Sequence, residues 1–416
     1  MKILHSLLII VVFHSYVQAQ DWRKQYPVSF QVKVSNPVPV VRQEAFVFIS
    51  AAQLPKDFNS KAFVVLDKGQ EIASQYNAND TDYKGVVLVL PELKANESHE
   101  LEVRYAKTGE IKREYTKRTQ AELSYKTGGE WKNREYIGGT FKNTDFLRVP
   151  AAHKDHSWFL RYEGPGWESD KVGYRMYLDQ RNATDVYGKL TSKMVLQDVG
   201  MDGFESYHHM QSWGMDVMKV GKSLGIGSIG AMVDGKVTRV EKTDSVNSRI
   251  TENGNVFSSI LTNYYGWKIG DKKHDLKSRM TIHAGTRLTH QFLTLTNNPE
   301  TICTGIVTDK KAVLLSSKGN AANFGYLATY GKQSLNGEGD ELGLAVFFRS
   351  SDATEFTDDE FSHIVKLKTT SGKVEYYFVG AWVLEPDGIK DQKQFEAYLK
   401  QTAMELANPV RVEIKK

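Results

Sequence analysis

Short runs of alternating apolar and polar residues recur along the chain from about residue 28. In Phe30-Gln31-Val32-Lys33-Val34 every second side chain is apolar, the pattern of a strand with one face buried and one face wet. Ala45 to Ile49, Phe63 to Leu66, Val86 to Leu90 and Glu100 to Tyr105 follow at turn-like intervals. These five strands predict a small β-sandwich over roughly residues 20–120. Its spacing is that of an immunoglobulin-like module, without the Cys…Trp…Cys signature of the true immunoglobulin domains.

Residues 107–135 are polar and charged, with Thr-Gly-Gly at 127–129, and read as a linker or a surface excursion. Strand patterns then resume at Val237 to Lys242, Lys277 to Ala284, Thr289 to Thr296, Gly343 to Arg349 and Val374 to Val379. Their number and length suit a large antiparallel β-sandwich over 121–416. One helix is expected, from Asp391 to Ala407. Phe395, Leu399, Ala403 and Leu406 recur at helical spacing and Asn408-Pro409 stops the run. The fold class is therefore mainly β, a small immunoglobulin-like sandwich followed by a large antiparallel one with a C-terminal helix. The content of 20 Tyr, 19 Phe and 33 Gly against only 10 Pro agrees with extensive sheet and many turns.

The first nineteen residues have a different pattern. Lys2 precedes a nearly unbroken apolar run from Ile3 to Phe13, and Val17-Gln18-Ala19 offers small residues for cleavage. The run falls short of the ~20 apolar residues needed to span a bilayer. A cleaved signal peptide over 1–19 and a periplasmic or secreted protein are expected. The single cysteine, Cys303, permits no disulfide within the chain. A formal charge of +4 with both signs interspersed gives no basic tract for nucleic acid, and a mean hydropathy of -0.44 gives no basis for membrane insertion.

The densest set of polar and aromatic residues lies between His153 and Gly230. Strand parity sorts Gly173-Tyr174-Arg175-Met176-Tyr177-Leu178-Asp179 into a core face of Tyr174, Met176 and Leu178 and an opposite face of Arg175, Tyr177 and Asp179. That second row is either the floor of a polar ligand site or a solvated outer face. Glu163 and Glu168 flank the tight turn Gly164-Pro165-Gly166. They are either an acid–base pair for a glycosidic bond or turn-flanking surface residues. His208, beside Tyr207 and His209, is either a general acid–base group or a structural histidine. Gly225-Ile226-Gly227-Ser228-Ile229-Gly230 matches the dinucleotide fingerprint. The following Val233-Asp234-Gly235-Lys236-Val237 reads as a hairpin rather than the required helix, so the glycines serve turns or close packing. No cofactor is identified and no histidine pair has a strong metal spacing, which leaves a divalent metal open. No nucleophile elbow is present.

At this point the sequence resembles a known family. Tyr162-Glu-Gly-Pro-Gly-Trp-Glu-Ser169, Gly173-Tyr-Arg-Met-Tyr-Leu-Asp179, Arg181-Asn182, Val199-Gly200 and Trp213-Gly-Met-Asp216 through Gly221-Lys-Ser-Leu-Gly-Ile-Gly227 are similar to a domain-of-unknown-function family, number 4861, of exported bacterial proteins. The resemblance covers most of the chain after residue 20. It implies a setting in the breakdown of uronic-acid-containing polysaccharides such as ulvan. The implied activity is removal of water from a terminal uronate to leave a 4,5-unsaturated sugar, with an oligosaccharide as partner.

That chemistry has definite requirements. The C5 proton becomes acidic only when the neighbouring carboxylate is neutralised, and Arg175 is the candidate for this. A base must reach C5 and an acid must protonate the departing C4 oxygen. His208 and Tyr177 are the candidates, in either order. Glu168, Asp179 and Asp216 are candidates to orient them, and Trp167 or Trp213 to stack on the sugar ring. His290 is a further candidate from another strand. A non-catalytic glycan-binding protein, and a glycoside hydrolase using Glu163 or Glu168, remain as alternatives. The signal pattern predicts that N-terminal sequencing of exported material starts near Gln20 or Asp21. Recovery of Met1 in a membrane fraction would contradict it.

Overall fold

The computed structural model describes residues 21–415, and the expected signal segment lies outside them. The first alternating runs become two sheets face to face. Val28–Ser35 pairs with Ser98–Tyr105, which pairs with Phe63–Asp67, while Arg42–Ser50 pairs with Gly85–Leu93. The inward positions meet between the sheets: Val32, Val34, Leu101 and Val103 from one, Val47, Ile49, Leu88 and Leu90 from the other. One strand of this sandwich comes from the far end of the chain. Arg411–Lys415 adds to the edge of Val28–Ser35, with Val412 and Ile414 against the same core. Five residues of ordinary alternation give no local sign of so distant a partner.

The remainder is built on a nine-stranded antiparallel sheet that includes Lys272–His283, Leu288–Leu295, Lys373–Trp382 and Leu342–Phe348. Two five-stranded sheets share its core. One supplies Trp167, Tyr174, Met176 and Val186, the other Ile302, Ile306 and Val365, against Leu293, Leu344, Val346 and Phe378 of the large sheet. The helix Gln392–Ala407 packs Phe395, Leu399 and Ala403 on a separate cluster of the large sheet, with Ala345, Phe347 and Val379. Asp391 caps it, accepting from the Gln394 amide at 2.8 Å. Among the described residues no helix is long and apolar enough to cross a membrane.

The expected linker differs from a plain connection. Residues 107–118 are irregular, but Ser124–Lys132 and Glu135–Asn143 form a two-stranded hairpin with largely exposed side chains. The glycine fingerprint is followed by the hairpin Gly230–Val233 and Lys236–Arg239, as expected. Gly227 has φ +64°, and a Cβ there would stand 2.3 Å from the Phe378 ring, so this glycine serves close packing. Leu399, with no exposed surface, seats the helix on the sheet. Leu399→Ala should cost about 2–5 kcal/mol, read as a lower denaturant midpoint. An unchanged midpoint would mean that the helix contributes no cooperative packing.

Candidate active site

The site grows from the five-stranded sheet that includes Gly166–Ser169, Val172–Met176, Thr184–Lys189 and Gly214–Asp216. Its register sets Arg175 opposite Asp185 and Tyr187 opposite Asp216. Tyr174 and Met176 point into the shared core, as parity required. The face carrying Arg175 is not bathed by solvent. Val195, Leu196, Val199, Phe204 and Tyr207, from the long excursion after Lys189, pack over it with Tyr162 and Tyr187. Arg175 is left only 2% exposed.

A cation this deep must be paired and fully hydrogen-bonded. Arg175 donates through Nε and Nη2 to Asp185 Oδ2 at 3.2 and 2.8 Å, and through Nη2 to Asp216 Oδ2 at 2.7 Å. It also donates to the hydroxyls of Tyr207 at 2.7 Å and Tyr177 at 3.0 Å. Tyr177 in turn donates to Asp185 Oδ2 at 2.9 Å. Burial, then repulsion from Asp216, pushes the Asp185 carboxyl up to about 7 against the pull of Arg175. Burial likewise holds the Tyr177 phenol well above its ordinary value, again opposed by Arg175.

His208 follows from the one-turn helix Ser206–His208. Its Nε2 lies 3.4 Å from Asp216 Oδ2, and its side chain stays about 39% exposed. His208 and Tyr177 line one cavity of about 330 Å³, with Asp155, Arg181 and Lys219 on its walls. Two groups able to move protons, each backed by a carboxylate, are thus joined through one arginine. Of the expected residues, the structure unites Arg175, Tyr177, His208 and Asp216. Asp179 lies behind them, holding Arg181 through its amide at 2.8 Å and its guanidinium at 3.0 Å.

The other expected positions fall elsewhere. Trp167 is 1% exposed, stacked on Tyr174, and donates from its indole to Thr289; it offers no face to a sugar. Trp213 is half-buried with its ring edge-on to Tyr187, outside the cavity lining. Glu168 is neither a surface residue nor within reach of a ligand. It has no exposed surface, pairs with Lys189 at 2.5 Å, and accepts from the Val195 and Leu196 amides at 2.8 Å each. It thereby pins the covering excursion to the sheet. His290 lines a second cavity, of about 490 Å³, beside Arg42–Ser50 and the C-terminal helix. There it stacks on Tyr377, near Glu375 at 3.0 Å.

Glu163 is held by strained backbone. Tyr162 and Glu163 have φ of +38° and +72°, a region costly for residues with a Cβ. A Cβ on Gly164 would stand 1.9 Å from the Met176 carbonyl oxygen, so glycine alone lets this turn lie on the strand carrying Arg175. Glu163 then meets Arg181 at 2.5 Å and stands 3.9 Å from Arg175. Asp155, His156 and Glu163 bring potential metal ligands within 4.8 Å of one another. Arg181 already bonds Asp155 at 2.8 Å as well as Glu163, so a guanidinium supplies the positive charge that these carboxylates need.

Asp155, Asp185 and Lys219 were not expected from the sequence. Asp185 had one signal, a carboxylate inside the strand pattern Ala183-Thr-Asp-Val-Tyr187. Its meaning requires knowing that this strand pairs with Val172–Met176.

A family model described as Domain of unknown function (DUF4861) matches residues 34–412. No curated protein matches the chain. Among solved structures, an alpha-mannosidase from Enterococcus faecalis V583 is similar at 10% identity and a TM-score of 0.48, covering 93% of this chain and 46% of that one. A Glycosyl Hydrolase Family 38 protein from Enterococcus faecalis is similar at 9% identity and a TM-score of 0.48, covering 93% and 47%. The chain spans about half the length of these proteins.

Glu168→Gln should destabilise the protein by about 3–5 kcal/mol, because it leaves Lys189 buried without its carboxylate. Denaturant unfolding measures this. An unchanged midpoint together with lost turnover would instead make Glu168 a reacting group.

Proposed function

We propose that this chain, which belongs to the DUF4861 family, is a carbohydrate-active lyase that removes water from the terminal uronate of an oligosaccharide. The observation that carries the reading is the pair of proton-transfer groups, Tyr177 backed by Asp185 and His208 backed by Asp216, facing one cavity and joined by Arg175. The family resemblance implies the same chemistry, with ulvan-type oligosaccharides as the substrate class. The signal-like pattern of the first nineteen residues supports a reaction outside the cytoplasm.

In the proposed reaction the C5–H and C4–O bonds break, a C4–C5 double bond forms, and the C4 hydroxyl leaves as water. The environments of the two groups divide the roles. Burial keeps the Tyr177 phenol protonated, and the Asp185 carboxyl beside it is raised to about 7, so this pair is the acid that protonates the C4 oxygen. His208 is partly exposed and has a carboxylate behind it, so it is the base at C5. Arg175 holds both pairs in place and is a positioning residue. A hydrolase built on Glu163 or Glu168 is disfavoured, since neither lines the cavity and both are engaged in ion pairs, with Arg181 and with the buried Lys189.

Elimination creates a conjugated double bond that absorbs in the ultraviolet, hydrolysis creates new reducing ends, and binding alone creates neither. Uronate-terminated oligosaccharides should give the ultraviolet signal. Tyr177→Phe and His208→Ala should each lower its rate by about 10²–10⁴-fold in protein that circular dichroism finds folded. New reducing ends without absorbance would overturn the reading. Asp185→Asn should remove one ionisation near pH 7, that of Asp185, from the kcat profile and leave any limb contributed by the His208 base. Persistence of that ionisation would remove Asp185 from the proton path.

A further inference from the structure

From the charge balance of the same cavity we infer that Lys219, with the neighbouring backbone amides, receives the substrate's carboxylate. The inference rests on the uronate reading and replaces Arg175 in the role its sequence suggested. Arg175 is shared among two carboxylates and two phenols at 2.7–3.2 Å. It could bind a further anion only by breaking buried pairs, which are costly to open. Arg181 is committed as well, to Asp155, Glu163 and Asp179. The carboxylates of Asp155 and Asp216 also line the cavity and repel an incoming anion.

Lys219 is the exception. It lines the cavity, its side chain is exposed, and among the described residues it forms no ion pair or hydrogen bond through Nζ. A second observation points the same way. Val220 and Gly221 line the same wall, and the amides of Lys219, Val220 and Gly221 donate to no protein acceptor among the described residues. Val220 is only 6% exposed. Lys219 and Gly221 on either side are exposed, so these amides are open to a ligand, and successive amides in a turn form anion-binding concavities. Gly221, at φ +54° with open space where a Cβ would stand, gives that turn its shape. The Ser223 amide closes it on the Val220 carbonyl at 3.0 Å.

Among the described residues, the cavity lining therefore carries an unpaired cation and unused donors together with the two groups proposed to move protons. A carboxylate held there has its charge neutralised as the C5 proton leaves, when negative charge builds on its oxygens. The cavity volume of about 330 Å³ sits at the small end of ligand pockets, which suits a terminal sugar unit.

The test compares wild type, Lys219→Met and Lys219→Arg on a glucuronate-terminated oligosaccharide, its methyl ester and its desulfated form. Lys219→Met should lower kcat/KM for the acid by about tenfold, with little loss on the ester, and Lys219→Arg should recover most of it. Equal losses on acid and ester, or no loss, would overturn the inference. So would a Lys219 dependence that vanishes on desulfation, since the wall would then be reading sulfate. If wild type eliminates none of these sugars, the proposed activity falls first. Calorimetric binding of the same acid and ester then decides the receptor separately. Acid binding that weakens in Lys219→Met supports it, and binding indifferent to Lys219 or to the ester overturns it.

Discussion

The site depends on one buried cation. Arg175 stands on a strand whose other face is core, beneath a layer of aromatic and aliphatic side chains that leave it almost no exposed surface. A guanidinium there is tolerable only with its donors satisfied, and the fold supplies Asp185 from the neighbouring strand, Asp216 from the one beyond, and two phenols. Each of those partners is fixed in turn. Tyr177 is held toward Asp185, and Asp216 faces His208. The constraint that makes the arginine possible is therefore the one that arranges the phenol and imidazole that we propose transfer protons.

The covering layer explains why the surrounding motifs are so polar for a buried region. Lys189 and Glu168 form a second ion pair with no exposed surface, and the Glu168 carboxylate accepts the amides that start the excursion over Arg175. Arg161 pairs with Glu122 at 2.5 Å on the same side of the sheet. Such pairs contribute little net stability, but they give the layer one position. The strained turn at Tyr162 and Glu163 has the same effect, bringing a carboxylate to Arg181 at the cavity wall.

Much of the fold was legible in the sequence because strand alternation and helix caps are local. The runs from Phe30 to Tyr105 became a sandwich, and Asp391 and Asn408 bound the helix where the pattern put them. The edge strand Arg411–Lys415 was not legible, since its partner lies almost the whole chain away. In the site, parity put Arg175 and Tyr177 on one face, and the structure joins these two by a hydrogen bond, while Asp179 lies beyond the strand's end. What failed was the inference from residue type to exposure. Trp167 and Glu168 are of the kinds that bind sugars, yet one fills the core and the other anchors a loop. Asp185 was missed because its importance is a cross-strand relation, and Lys219 because a lone lysine carries no pattern.

The central claim is that Arg175 organises proton transfer and does not grip the substrate. Arg175→Lys separates these roles, since an ammonium keeps the charge but cannot reproduce the planar fork that reaches two carboxylates and two phenols. The direct measurement is turnover of a uronate-terminated oligosaccharide by folded Arg175→Lys, alongside calorimetric binding of the unsaturated product. The account predicts that kcat collapses while product binding is retained. Weakened binding with an unchanged kcat would contradict it and return Arg175 to the role of carboxylate receptor.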